Sequence, residues 1–160
     1  MFLFYDWSND QVHLIQAKFY HDLISFNEME RELWTIRKKL IQKLFKAVSG
    51  DWRLFMFYDW SLDTFAHIYL PKHLDKLRRV YIKTDLLISR LKKVLPKDIL
   101  FLIVSDHGID KETGLHSNHA FYSVNVKINW RPVKITDFYS KIQEWCPLSR
   151  SRQLPKIQKE

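Results

Sequence analysis

Two short and almost wholly apolar runs, separated by a long helical stripe, constrain the fold of this chain most strongly. The runs cover residues 52–58 and 99–104, and both parities of each carry bulky side chains. Such runs are typical of strands buried on both faces, which occur mainly in parallel sheets. Between them, residues recur at helical spacing and end before Pro96: Leu74, Leu77, Tyr81, Thr84, Leu87, Ile88, Leu91 and Leu95. This order predicts a right-handed βαβ unit in a mostly parallel sheet, and hence an α/β fold.

Three further elements are predicted from local patterns. Asn27 and Glu30 have the spacing of a capping box, in which an N-cap side chain and a carboxylate three residues later each bond the other's backbone. The helix that follows is expected to end near Gly50 and has an apolar stripe of Met29, Leu33, Ile36, Leu40 and Leu44. A third strand is expected over residues 120–128 and a short helix over residues 136–144.

Length and composition fit one domain with a substantial core. The chain has 160 residues, of which 46% are hydrophobic and 15% aromatic. A domain of this size buries about 70% of the surface of its unfolded chain. We expect the domain over residues 1–145 and a basic, flexible tail over residues 146–160. With 3 glycines, the chain cannot form either of the glycine-rich phosphate loops.

Charge and cysteine content bear on partners and location. The net charge of +8 favours anionic partners such as phosphate esters, nucleic acid or acidic membranes, although a solvated lysine-rich surface is the simpler interpretation. Cys146 is the only cysteine, which excludes an internal disulfide and favours a reducing compartment. The longest apolar run is too short to span a bilayer, and residues 1–6 lack the features of a signal peptide. These features predict a cytoplasmic location.

One internal similarity bears on whether a second site exists. Residues 2–8 nearly repeat residues 55–61, since both contain Phe-x-Phe-Tyr-Asp-Trp-Ser. A tandem repeat would continue, but Asp10 and His13 lie one residue closer together than the carboxylate and histidine after the second copy. The shorter spacing still allows a shared helical face, so a second ligand pair stays open. We favour a coincidence of two similar strand ends.

Carboxylates and imidazoles follow the two predicted strands, at the edge where α/β proteins bind ligands. Asp63 and His67 are four residues apart, so one helical turn would place both on the same face, within reach of one ion. Asp106 and His107 end the next strand, where Gly108 allows the backbone turn that both would need to reach a metal. Each motif alone is more often a turn or solvated surface, but their placement after successive strands favours a metal site.

A third imidazole is available in the loop before the next strand. It belongs to His116 or His119, and a lone histidine in such a loop is usually solvated. Imidazole and carboxylate ligands together suit zinc or a similar transition ion better than magnesium or calcium. The sequence therefore predicts a zinc-type site at the ends of these strands.

These motifs resemble those of a known superfamily. The Asp-x-x-x-His of residues 63–67, the Ser-Asp-His-Gly of residues 105–108 and the Gly-x-His of residues 114–116 look like the second half of the alkaline phosphatase superfamily. The nearest branch is the type I phosphodiesterase/nucleotide pyrophosphatase group. The similarity covers about residues 52–122 and extends more weakly to the helices on either side. The resemblance implies a three-layer α/β/α sandwich, present here in part, and metal-dependent hydrolysis of phosphoric esters.

The resemblance also implies a set of metal ligands. The family binds two zinc ions, and by carry-over Asp63, His67 and His116 would hold one of them. Asp106 and His107 would share the second ion with residues from the first half of the family fold. The choice of His116 over His119 rests on the Gly-x-His match alone. Because this chain supplies three ligands for one ion and two for the other, one zinc ion is the expectation for the chain alone.

The first half of the family pattern is missing from residues 1–50. The family places an Asp after its first strand and then a Ser or Thr nucleophile at a helix start. The hydroxyls available here are better explained as caps or surface groups: Ser8, Ser25, Thr35 and Ser49. We therefore expect a fragment that resembles a carboxyl-terminal half, with a missing amino-terminal half as its partner and an unknown nucleophile.

A non-catalytic alternative belongs to a different class. The chain could be a basic interaction module that keeps a remnant of the fold and binds nucleic acid or another polyanion. Its candidate residues lie on the predicted outer faces of the two long helices, where a solvated face is the default: Lys38, Lys39, Lys43, Lys46, Arg78, Arg79, Lys92 and Lys93. The aromatic residues fall in apolar stripes and strands, so core packing explains them better than base stacking.

Overall fold

A computed structural model of the chain describes residues 2–5, 9–70 and 72–147. Within these residues the helices are α1 (Asn9–Tyr20), α2 (Phe26–Ala47), α3 (Ser61–Tyr69), α4 (Leu74–Val94) and α5 (Asp137–Trp145). The strands are β1 (Phe2–Tyr5), β2 (Leu54–Phe57), β3 (Leu102–Ser105), β4 (Gly108–Ile109), β5 (His116–Ser117) and β6 (Phe121–Val124).

Every long element predicted from the apolar pattern is present, with shifted ends. The strands predicted over residues 52–58, 99–104 and 120–128 correspond to β2, β3 and β6, and the short helix predicted over residues 136–144 is α5. Of the predicted tail, residues 148–160 lie outside the described residues.

The start of α2 differs from the predicted one by two residues. Ser25 Oγ accepts a hydrogen bond from the Glu28 backbone N–H at 3.3 Å, and the Glu28 carboxylate accepts one from the Ser25 N–H at 2.9 Å. This is a complete capping box, so the box predicted at Asn27 and Glu30 is wrong. Ser and Asn are N-caps of similar strength, and the earlier start allows Phe26 to pack against the hydrophobic core.

One charged residue interrupts the buried face of α2. The predicted residues Met29, Leu33, Leu40 and Leu44 are buried, but the fifth buried residue is Arg37, whereas Ile36 is half-buried. A stripe of 3.6-residue period passes between these two neighbours. The apolar pattern therefore predicted the correct helical turn, but the buried residue in that turn is Arg37 and not Ile36.

The buried face of α4 is similarly displaced from the predicted stripe. Leu95 caps the helix just before Pro96, as predicted. Leu74 and Tyr81 were predicted to face the core but are 60% and 50% exposed. The residues that α4 buries are Leu77, Val80, Leu87 and Leu91.

The sheets differ most from prediction. β1 pairs with β2 in parallel, with Phe2 opposite Leu54 and Tyr5 opposite Phe57. β3 pairs with β6 antiparallel, and the short strands β4 and β5 form a further antiparallel pair. Among the described residues the strands thus form three two-stranded sheets, of which only β1–β2 is parallel.

A mostly parallel sheet, and the three-layer sandwich that would contain it, are therefore not supported. The mixed α/β class is supported by the helix and strand content. The physical reason lies in the connection between β3 and β6, which contains the β4–β5 pair and no helix. A parallel return usually runs through a helix packed on the sheet, whereas the antiparallel β4–β5 pair turns this connection back on itself, so β6 returns antiparallel to β3.

α3 packs against both longer helices through the core. Phe65 stacks on Trp34 of α2 with ring centroids 4.6 Å apart and on Tyr69 of α3 at 5.3 Å. Phe65 is fully buried, and Val80 of α4 belongs to the same apolar cluster. A second cluster joins α2 and α4 to the inner face of β2 through Leu44, Leu87, Leu91, Phe55 and Phe57. Burial of each such large side chain contributes about 1.5–3 kcal/mol to stability. This packing therefore stabilises the position of α3 and of the residues on its outer face.

The outer surface of the helices is basic. The eight cationic residues that the sequence placed on the outer faces of α2 and α4 are all exposed: Lys38, Lys39, Lys43, Lys46, Arg78, Arg79, Lys92 and Lys93. In the part of the chain that the structure describes, no helix has the length and apolar character needed to cross a bilayer.

Candidate metal centre

The first two residues of the centre lie on the outer face of α3. This helix buries Thr64, Phe65 and Ala66 in the core, so its spacing turns Asp63 and His67 away from the core. Both side chains are partly exposed, and His67 Nε2 lies 3.3 Å from Asp63 Oδ1. The predicted shared face of this pair is therefore present.

Two further imidazoles approach the same carboxylate oxygen. His116 Nε2 lies 3.3 Å and His107 Nε2 lies 3.9 Å from Asp63 Oδ1. His67 Nε2 is 2.9 Å from His116 Nε2. One ligand atom from each of Asp63, His107 and His116 lies within 4.8 Å of the other two. Residues from α3, from the end of β3 and from β5 thus meet at one point.

The separations match those expected between ligands of one small ion. Ligand atoms at about 2.0–2.1 Å from a tetrahedral zinc ion lie about 3.3–3.4 Å from one another. Two of the three nitrogen-to-carboxylate distances at Asp63 Oδ1 are 3.3 Å, and the third is 3.9 Å. His107 would have to move closer to Asp63 and also turn its ring out of the stack on His116, because an imidazole binds a metal in its own ring plane.

Asp63 Oδ1 is a buried atom without a hydrogen-bond partner among the described residues. Its neighbours are the imidazole nitrogens, which approach it at ion-pair distance but without hydrogen-bond geometry. A buried carboxylate oxygen is costly unless it is paired. A cation between Asp63 and the surrounding nitrogens would satisfy all of these groups, so the residues fit a divalent transition ion.

A contact on the side of the ring away from Asp63 helps to orient His107. Its Nδ1 is 3.0 Å from the Gly108 carbonyl oxygen, which can only accept a hydrogen bond. Nδ1 is therefore the donor in this contact, and Nε2 is the ring nitrogen on the side of Asp63. The His107 ring also stacks on the His116 ring, with centroids 3.7 Å apart and an interplanar angle of 15°. Metal-binding histidines usually donate their other ring N–H to such an acceptor.

A tight turn brings His116 back to His107. Asp110 Oδ1 accepts hydrogen bonds from the backbone N–H groups of Glu112 and Thr113 at 2.9 and 2.8 Å, and these bonds hold the pKa of Asp110 below its usual range. Gly114 adopts a positive φ of 70°, which completes the turn between β4 and β5. Asp110 was not among the predicted residues, although an Asp followed three residues later by Thr-Gly is a usual turn pattern.

The remaining predicted ligands lie further out. Asp106 has a side chain that is 75% exposed, and its Oδ1 is 3.7 Å from His107 Nε2. His119 is exposed and is not part of the group formed by Asp63, His107 and His116. The resemblance assigned His107 to a second ion with Asp106, whereas here its ring lies beside the ligands expected for the first ion.

The possible second pair on α1 is not assembled. Asp10 and His13 are both exposed, and neither belongs to the group of possible metal ligands found in the described part of the chain. The two near-repeated segments do contribute the paired strands β1 and β2. Residues 6–8 of the first copy lie outside the described residues.

A comparison with protein families agrees with these features. The family model "Type I phosphodiesterase / nucleotide pyrophosphatase" matches residues 4–135. Because the match covers most of the chain, this chain belongs to that family, which is part of the alkaline phosphatase superfamily. The match is longer than the span of residues 52–122 expected from the motifs. No curated protein and no solved structure matches the chain significantly.

Membership of the family has two general consequences. The family is typically metal-dependent, and it acts on phosphate esters. The group of Asp63, His107 and His116 is a possible metal-binding site of the kind that such chemistry requires.

Proposed function

We propose that this chain binds one zinc ion through Asp63, His67, His107 and His116 and forms the metal-binding part of a phosphoric-ester hydrolase. The observation that supports the proposal most strongly is the buried Asp63 Oδ1, which has imidazole nitrogens at 3.3, 3.3 and 3.9 Å but no hydrogen bond. Carboxylate and imidazole donors together favour zinc or a similar transition ion.

The role of each residue follows from its position. Bound zinc supplies Lewis-acid polarisation of a phosphoryl oxygen. Asp63 and His67 act from helix α3, and His107 Nδ1 donates to the Gly108 carbonyl oxygen. The side chain of His116 is 50% exposed, which leaves one side of the group open to an incoming phosphate ester.

Asp106 is proposed as a ligand of a second ion. Its carboxylate is exposed and adjacent to the group, and it alone of the predicted acidic ligands has room for a cation on its solvent side. One carboxylate holds a divalent ion weakly, so the other ligands would come from residues outside this chain. This would agree with the family's use of two zinc ions.

Three of the four hydroxyls considered as nucleophiles lie in the described part of the chain, and each takes part in a local hydrogen bond. Ser25 caps α2, while Thr35 Oγ1 and Ser49 Oγ donate to backbone carbonyls of the preceding helical turn. Ser8 lies outside the described residues. We propose that the nucleophile belongs to an amino-terminal half that is not part of this chain, so that the chain alone binds metal without efficient turnover.

The proposal is tested by metal content and by hydrolysis in parallel. Purified chain is expected to retain about one zinc per molecule, and Asp63→Ala or His67→Ala should lose it. Asp10→Ala and His13→Ala are matched controls, because these exposed residues form a similar pair on α1. The controls should keep their zinc.

Hydrolysis separates the further parts of the proposal. Chelator-sensitive release of nitrophenol from a nitrophenyl phosphodiester by the chain alone would support the hydrolase and contradict the need for a second half. Zinc binding without release would support the fragment. A chain that binds no zinc but binds nucleic acid with a steep salt dependence would contradict the proposal in favour of the basic interaction module.

A further inference from the structure

A buried ion pair lies at the start of the helix that carries two of the proposed ligands. Arg37 of α2 is 2% exposed. Its Nη2 donates to Asp59 Oδ2 at 3.1 Å and to Thr84 Oγ1 of α4 at 2.8 Å. Asp59 lies between β2 and α3. One guanidinium group therefore ties both long helices to the segment that leads into α3.

Asp59 passes this constraint on to α3. Its second oxygen, Oδ1, accepts a hydrogen bond from the Ser61 backbone N–H at 3.0 Å. Ser61 is the first residue of α3 and is fully buried, and the adjacent Trp60 is 2% exposed. One oxygen of Asp59 thus accepts a hydrogen bond from Arg37, and the other accepts one from the backbone N–H of Ser61 at the start of α3. Asp59 precedes Asp63 by four residues, or about one helical turn.

Stability alone is a poor explanation for this arrangement. Arg37 occupies a position in the buried stripe of α2 that otherwise holds Met29, Leu33, Leu40 and Leu44. Its Nε has no hydrogen-bond partner among the described residues. An apolar side chain of similar volume often serves stability as well as or better than a buried ion pair.

We propose that Arg37 and Asp59 are positioning residues for the metal centre, an inference that rests on the metal site proposed above. Phe65 anchors α3 in the core, and Arg37 and Asp59 add a polar constraint at its first residue. We infer that this constraint fixes the rotation of α3 about its axis, so that Asp63 and His67 face His107 and His116. A rotation of about 20° would move a group about 6 Å from the helix axis by about 2 Å, which is the length of a whole zinc–ligand bond. A small loss of helix orientation therefore removes ligands from the centre.

The test compares two double variants of the full chain. Arg37→Met with Asp59→Asn removes both charges, keeps a side chain of similar length at position 37 and leaves no buried charge unpaired. Lys141→Met with Glu144→Gln is the control, because the ion pair of Lys141 and Glu144 at 2.7 Å lies within α5 and does not involve α3.

Each protein is titrated with Co²⁺, its visible absorption is recorded, and its Zn²⁺ affinity is measured by competition with a chromogenic chelator. The first variant is expected to bind both ions about 10–100-fold more weakly and to show an altered Co²⁺ spectrum, which is the usual range when a group that orients a ligand is lost. The control should match the wild-type chain in affinity and spectrum.

The outcomes separate this inference from the proposed function. If the wild-type chain binds no Co²⁺ or Zn²⁺, both the metal site and the positioning role are overturned. If wild type and the Arg37/Asp59 variant bind equally, the positioning role is overturned and the metal site stands. Equal weakening in both double variants would also overturn it, since a general loss of stability would then be the cause.

Discussion

Gly108 determines how closely β4, which follows His107, can approach β5, which carries His116. A Cβ atom at this position would lie 2.7 Å from Ser117 Oγ and 2.9 Å from the His119 carbonyl oxygen. One of these contacts is to backbone, so β4 and β5 would have to separate. We expect Gly108→Ala to lower the free energy of unfolding by about 1–3 kcal/mol, measured by chemical denaturation, and to weaken metal binding.

Gly114→Ala is the control for this substitution. Gly114 has a φ of 70°, but an added Cβ would meet no atom within 4 Å. The expected cost is therefore backbone strain alone, about 1 kcal/mol. If Gly108→Ala were as stable as the wild-type chain, the close approach of the two strands would be contradicted.

His116 belongs to the group of possible metal ligands, whereas His119 lies outside it. His107 stacks on His116 with ring centroids 3.7 Å apart, although the family resemblance assigned these two residues to different ions. We expect His107→Ala and His116→Ala each to weaken zinc binding by at least about tenfold, and His119→Ala to leave it unchanged. Calorimetric titration with zinc would measure this, and an effect of His119→Ala equal to that of His116→Ala would contradict the proposed ligand set.

Among the helices, the start of α2 gives a clear test of local structure. Ser25→Ala removes the acceptor for the Glu28 N–H and breaks the capping box. It should lower the free energy of unfolding by about 1 kcal/mol, measured by urea denaturation. Asn27→Ala, at the position first predicted for the cap, should change it by less than about 0.5 kcal/mol. A larger effect at Asn27 than at Ser25 would favour the later helix start.

The sequence predicted which elements exist better than how they pair. Apolar runs and helical stripes indicated β2, β3, β6, α2 and α4, because burial requires such periodicities. Pairing depends on what separates two strands, and the turn at Asp110 between β3 and β6 was not recognised. The buried Arg37 could not be predicted from hydropathy either, since its partners Asp59 and Thr84 lie far along the chain.

At the scale of the whole molecule, Glu30 joins three helices. Its carboxylate accepts hydrogen bonds from Tyr69 of α3 at 2.5 Å and from Lys76 of α4 at 2.7 Å. Burial opposes ionisation of Glu30, but the bonds from Lys76 and Tyr69 outweigh it and lower its pKa. Burial and the nearby Glu30 carboxylate raise the pKa of Tyr69.

This lowered pKa predicts a pH dependence of stability. Because the folded-state pKa of Glu30 lies below the value in the unfolded chain, its contribution is fully present above the unfolded value and is lost as the pH falls through the folded one. Glu30→Gln should therefore cost about 1–3 kcal/mol of unfolding free energy near neutral pH, and the cost should shrink as the pH falls below the pKa of Glu30 in the unfolded chain. A cost that stayed constant from pH 7 to pH 3, measured by urea denaturation, would contradict the charged network.

The sequence predicted the residues of the candidate metal site better than it predicted which of them lie together. Asp63 and His67 needed only helical spacing, and Gly108 indicated the turn after β3. That His107 would lie beside His116 depends on the β4–β5 pair, in which Ile109 is opposite His116. Such a pairing between two-residue strands has too short a pattern to be recognised in a sequence.

In the proposed metal centre, Asp63 and imidazoles from three separate segments share one metal ion. X-ray absorption spectroscopy at the zinc edge of the zinc-loaded chain tests it most directly. We expect nitrogen and oxygen ligands at about 2.0–2.1 Å with multiple scattering from at least two imidazoles, and loss of one imidazole in His116→Ala. A spectrum without imidazole scattering, or one unchanged by His116→Ala, would contradict it.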